Sequence, residues 1–252
     1  MTSAAERYER MIEDARADPG VVGVVLSGSR GKGFGTEASD YDVCVVVRDD
    51  APPACRARYE EADGDGIDAG VMALGDFTTY AAWGSPFEWD RYGFAHAAVP
   101  VDKTGQLRQL VDEKGRIPEE EREPFIRTWL DAYINGVYRS LKCVRNGNRR
   151  GARLEAADAL GYALTVIFAI EGRHRPYFGY LEREPRVYPL QTFPLDPDEL
   201  LAMIDAVLDE ADVPTQQRLL AIVDDLCRPA GFGDVFDGWG ADYQWMQTFR
   251  RA

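Results

Sequence analysis

Residues 21–47 read VVGVVLSGSRGKGFGTEASDYDVCVVV, from Val21 to Val47, and the order of events in this stretch decides the fold around it. Val21–Leu26 is continuous and β-branched, the composition of a buried strand. Gly28-Ser29 follows at once, and Gly31, Gly33 and Gly35 keep the next residues tight and free of bulk. A second strand-like run, Val43–Val47, is entered through Asp40 and Asp42. Side chains at i and i+2 share one face of a strand, so this spacing points both carboxylates the same way.

Two carboxylates on one face repel each other unless a cation sits between them. Hard divalent ions such as Mg²⁺ take oxygen ligands of this kind and leave room for substrate phosphates. Gly28 and Ser29 offer backbone N–H groups and a hydroxyl in a turn that leads into a short helix, an anion cradle. A phosphate holder beside a metal holder implies phosphoryl or nucleotidyl transfer. The glycines are not followed by Gly-Lys-Ser/Thr, which excludes a P-loop. They lead to a strand rather than a long helix, which excludes a dinucleotide fingerprint.

Gly28-Ser29, ten intervening residues and then Asp40-Tyr41-Asp42 resembles the signature of the polymerase β-like nucleotidyltransferase superfamily. The resemblance implies that Gly28, Ser29 and the adjacent Arg30 bind nucleotide and that Asp40 and Asp42 are catalytic metal ligands. It also implies a third carboxylate on the following strand. Ile67–Leu74 reads as that strand and Asp68 stands in the corresponding place.

The rest of the composition narrows the partners. Net charge is −14 over 252 residues, which argues against a nucleic-acid partner and suits a cationic acceptor. The balance is uneven. Residues 1–120 carry 13 basic and 23 acidic side chains, residues 121–190 carry 12 and 8, and residues 191–252 carry 4 and 12. A basic middle in an acidic chain suits a nucleoside triphosphate. Cys44, Cys55, Cys143 and Cys227 are scattered without C-x-x-C spacing and read as reduced thiols. No run approaches a membrane span and the charged N-terminus has no apolar signal region, so the expected setting is cytoplasmic, without membrane.

In chain order, Tyr8, Met11, Ile12 and Ala15 predict an amphipathic helix stopped by Pro19-Gly20. Gly75–Asp90 is aromatic and loop-like, and Glu88 within it is placed to greet an ammonium group of a substrate. Phe94–Val101 reads as a fourth strand with His96 in its core. Residues 116–124 are charged and bounded by prolines, which sets the expected domains at 1–118 and 119–252. Beyond them helical spacing takes over: Phe125 to Leu141, then Leu154, Ala157, Gly161, Leu164 and Phe168 as one apolar stripe. Two further helices follow, the first opened by the Asp196-Pro197-Asp198-Glu199 cap, and an aromatic tail docks behind them. Arg139, Lys142, Arg145, Arg149, Arg150 and Arg153 crowd the first helix junction. From these, Lys142 and Arg145 are the expected phosphate contacts.

The fold class expected is α+β: a small mixed-sheet nucleotidyltransferase domain with flanking helices, then a C-terminal helical bundle. That order is similar to the antibiotic nucleotidyltransferases acting on aminoglycosides and lincosamides. The resemblance implies Mg²⁺-dependent transfer of a nucleoside monophosphate, usually AMP from ATP, to a hydroxyl of a small molecule, with release of pyrophosphate. It also implies a second-domain glutamate as general base; Glu155, just off the apolar stripe, is the candidate, with Asp158 and Glu88 as rivals. A protein-modifying nucleotidyltransferase and a non-catalytic nucleotide-binding protein are the alternatives.

Overall fold

The computed structural model describes residues 3–250, and the chain divides into two compact units, Met1–Arg116 and Ile117–Ala252. The first unit is built on β1 (Val21–Leu26), β2 (Tyr41–Val47), β3 (Ile67–Ala73) and β4 (Ala98–Asp102). Between and around them lie α1 (Ala4–Ala17), α2 (Gly28–Gly31), α3 (Pro53–Glu60), α4 (Leu74–Thr79), α5 (Arg91–Phe94) and α6 (Gln106–Lys114). The sheet order is β3-β2-β1-β4. It is mixed: β1 runs antiparallel to both neighbours, while β2 and β3 are parallel.

Each strand lies where its residues require. All six residues of β1 are buried, as expected of an apolar strand covered on both faces. Val43, Val45 and Val47 of β2 turn to a core with Tyr8, Met11, Ile12 and Ala15 of α1 and Cys55 and Tyr59 of α3. Cys44 and Val46 turn the other way, to Phe77, Phe94, Leu107 and Val111. The β2–β3 connection crosses over through α3, which a parallel pair demands. α1 opens with a capping box in which Ser3 and Glu6 satisfy each other's backbone N–H groups.

Two expectations fail between β3 and β4. His96 is exposed, at φ 59, outside any strand, and β4 begins only at Ala98. The preceding residues, Arg91–Phe94, are a helical turn, so the alternation read there as a strand is the packing of a turn. The stretch read as a loop holds α4 and a 3₁₀ turn at Glu88–Asp90. Three buried basic side chains fasten it. Arg91 donates to the carbonyls of Ala81, Glu113 and Arg116. Lys114 donates to those of Thr78 and Tyr80, and Lys32 to those of Tyr92, Gly93 and Ala95.

The second unit is helical: α7 (Glu119–Arg145), α8 (Arg149–Ile170), α9 (Glu184–Val187), α10 (Pro197–Glu210), α11 (Val213–Cys227), α12 (Gly233–Asp237) and α13 (Gly240–Thr248). α7 starts six residues before Phe125, with Glu119, Glu120 and Glu121 in a first turn whose dipole favours acids. Pro124 lies inside the helix, where it withholds the N–H that would bond the carbonyl of Glu120. The Asp196–Glu199 capping box forms as read. Tyr243 and Met246 of α13 are buried and Tyr138 meets the Trp239 and Trp245 rings, so the aromatic tail is docked. One apolar position is misplaced: Leu154 stands 64% exposed, because α8 buries its alanine-rich face at Ala152, Ala156, Ala159 and Ala163 instead. Among the described residues no helix is long and apolar enough to cross a membrane.

Candidate active site

The site begins at the junction of β1, α2 and β2. Ser27 leaves β1 and its N–H donates to the carbonyl of Asp42 at 2.9 Å, so the loop starts already tied to the acidic strand. Gly28 then takes φ 54, a left-handed conformation that glycine adopts at little cost. A Cβ added to it would stand 1.7 Å from Asp42 Oδ2, so glycine is what lets the loop and the carboxylate share this space. The turn closes through Gly31 N–H to Ser27 O and Lys32 N–H to Gly28 O. In a helix of one turn, the leading N–H groups at Gly28, Ser29 and Arg30 have no acceptor within the helix.

The three acids fall on neighbouring positions. Asp42 and Asp68 are register partners on the parallel β2–β3 pair. Both alternate with residues of the inner core, Asp42 with Cys44 and Val46, Asp68 with Met72 two pleats on, so they share one face of the sheet. Asp40 precedes the strand and is exposed. Asp42 is half-buried, while Asp68, on the edge strand, is exposed. Burial, followed by the charges of Asp40 and Asp68, pushes the Asp42 carboxyl above its usual range, and Lys32 pulls it down.

That strain is the test of whether a cation suits these residues. Asp40, Asp42 and Asp68 are hard oxygen donors of the kind a divalent cation takes, and the charges of Asp40 and Asp68 oppose that of Asp42. Among the described residues no group of three or more His, Cys, Asp or Glu side chains is placed to hold a metal ion. Bound Mg²⁺ ordinarily takes only one or two carboxylates from a protein and keeps waters and substrate phosphates as its other ligands.

Lys32 is a part of the site that the sequence reading passed over. Only 1% exposed, it caps the carbonyls at the end of α5 and lies 4.5 Å above the Tyr92 ring. It fixes the far end of the glycine loop and sets a positive charge behind Asp42. Its signal was present as the one lysine in GSRGKGFG, between Gly31 and Gly33. Arg30 is turned to structural work: its Nε donates to Ser39 O at 2.9 Å and its guanidinium lies 4.2 Å over Tyr41. Glu88 accepts the Gly84 N–H at 2.6 Å and so closes its own turn.

In the second unit, Lys142 lies 4.9 Å over the Tyr138 ring and Arg145 lies 5.7 Å over Trp245 while donating to Asn146. Glu155 accepts from Arg139 at 2.6 Å.

Residues 9–90 match the family model described as the nucleotidyltransferase domain, a span that holds α1, the glycine loop and all three acids. Over that span the chain carries a nucleotidyltransferase domain, and its mixed sheet with flanking helices followed by a helical region is the fold class read from the sequence. Among solved structures, a nucleotidyltransferase-like protein from Exiguobacterium sibiricum is 13% identical, with 92% of this chain and 78% of that one covered and a TM-score of 0.43. No curated protein matches the chain.

Proposed function

We propose that this nucleotidyltransferase moves a nucleoside monophosphate, AMP from ATP, onto a hydroxyl of a small cationic molecule such as an aminoglycoside-like antibiotic, and releases pyrophosphate. The observation that carries the reading is the pairing of Asp42 with Asp68 on adjacent strands, with Gly28 pressed against Asp42. Asp40, Asp42 and Asp68 would hold Mg²⁺, which supplies neutralisation of the triphosphate and of the charge that develops on the departing pyrophosphate. Gly28 and Ser29 present N–H groups and a hydroxyl to the phosphates, and no side chain at Gly28 stands in their way.

Glu155 accepts the proton of the acceptor hydroxyl, with Arg139 holding its carboxylate in one orientation. The cationic acceptor follows from the net charge of −14 and from the acids that outnumber bases on both flanks of the chain.

The test incubates the protein with each nucleoside triphosphate, Mg²⁺ and a panel of hydroxylated cationic and neutral molecules. Pyrophosphate release and product mass are followed. A mass gain of one nucleoside monophosphate on a cationic acceptor, lost with a chelator, is the expected outcome. Transfer to protein alone, or none with any acceptor, overturns the reading.

A further inference from the structure

A second ligand site lies wholly within the helical unit, where the start of α8 meets the end of α10. The two form a cleft of about 590 Å³ lined by Arg149, Arg150, Arg153, Leu154, Leu208 and Glu210, among others. That volume falls in the range of small-molecule sites.

Its lining is amphipathic in a specific way. Leu154 and Leu208, 64% and 42% exposed, belong to the few large apolar side chains left open to water among the described residues, and both face this cleft. Exposing them costs hydrophobic stabilisation that a bound apolar body would recover. Arg149, Arg150 and Arg153 sit on the first turns of α8. Their three positive charges therefore add to the positive end of the α8 dipole, which its composition does not balance with any acid in the first turn.

The three arginines are used differently. Arg153 Nε donates to Leu208 O at 3.1 Å, which fastens the end of α10 to α8 and fixes the width of the cleft. Arg149 meets Glu210 at 3.3 Å, with both side chains largely exposed, a pair weak enough to exchange for another anion. Arg150 is exposed on the same rim. Asp209 and Glu210 on the opposite lip would repel a highly charged ligand such as a triphosphate.

We propose that this cleft binds a small organic anion of low charge with an apolar body, its head on Arg149 and Arg150 and its body across Leu154 and Leu208. The site is separate from the nucleotidyl-transfer reading and does not depend on it.

Anilinonaphthalene sulfonate has this chemistry, an aromatic body and one sulfonate, and its fluorescence reports binding to the full-length native protein. The expected result is saturable binding that weakens with added salt. Arg150→Glu and Leu154→Asp should each weaken it about tenfold or more, the scale of one charge-assisted hydrogen bond. Both positions are exposed, so the folded state should survive, as circular dichroism will check. Phe178→Ser alters another exposed apolar residue and should leave the affinity unchanged. Equal affinity in the parent, Arg150→Glu and Leu154→Asp proteins overturns the proposal, as does an absence of binding to the parent.

Discussion

Asp42 Oδ2 occupies the space in which a side chain on Gly28 would begin, 1.7 Å from its Cβ position. The glycine loop and the acidic strand are thus a single packed object. Gly28→Ala should fail twice over: φ 54 costs an L-residue ~1–2 kcal/mol, and the methyl must displace either the loop or the carboxylate. A lower melting temperature together with loss of nucleotidyl transfer is expected. A variant with parental activity would mean that Asp42 does not need its present position.

Asp42→Asn removes one of three mutually repelling charges. Without metal, the variant should melt at the parental temperature or above it, because the burial of a charge beside Asp40 and Asp68 is relieved. With Mg²⁺ and triphosphate, the parent should gain thermal stability and the variant should gain much less. Transfer should be lost in the same variant. Parallel ligand-induced shifts in the two proteins would remove Asp42 from the metal set.

Much of this site was legible because it is encoded locally. A β-branched run, a glycine pair and a two-residue acid spacing specify strand, loop and strand without help from elsewhere. The partnership of Asp42 with Asp68 was less so, since a parallel register is fixed by the α3 crossover and by which face each strand buries. Lys32, Arg91 and Lys114 escaped for a different reason. Isolated basic residues read as solvated, and only the folded chain shows backbone carbonyls converging on them. Leu154 failed because α8 is apolar on several sides and its neighbours choose the face.

Lys32→Met should be among the most damaging single changes in the first unit. It leaves the carbonyls of Tyr92, Gly93 and Ala95 without their ammonium donor. Buried groups that lose a charged partner cost roughly 1–3 kcal/mol or more. Denaturant unfolding should show that loss. The Asp42 carboxyl loses the charge that draws it down at the same time, so its titration should move further up in whatever folded protein remains. Unchanged stability would show that those carbonyls find water instead.

Lys114 gives a pH signature. Burial, reinforced by the charge of Arg91, lowers its ammonium to about 8 from 10.5. Between those values the unfolded chain holds the proton and the folded chain does not, so this group makes stability rise with pH from about 8 to 10.5. Below that window both states are protonated and its contribution is flat. Lys114→Met lacks the group, so the difference in unfolding free energy between parent and variant should change across this window and stay constant below it. A constant difference throughout would place the ammonium in water.

The proposed role of Glu155 as general base is open to direct test. Its Oε1 accepts from Arg139 at 2.6 Å, which orients the carboxylate and leaves Oε2 available to a hydroxyl. Glu155→Gln keeps the shape and removes the base, so kcat should fall ~10²–10⁴-fold with KM for the triphosphate nearly unchanged. Arg139→Ala frees the carboxylate to rotate, and should lower kcat less while leaving the folded state intact, since Arg139 itself is largely at the surface. A loss of less than about threefold in Glu155→Gln would pass the role to another group.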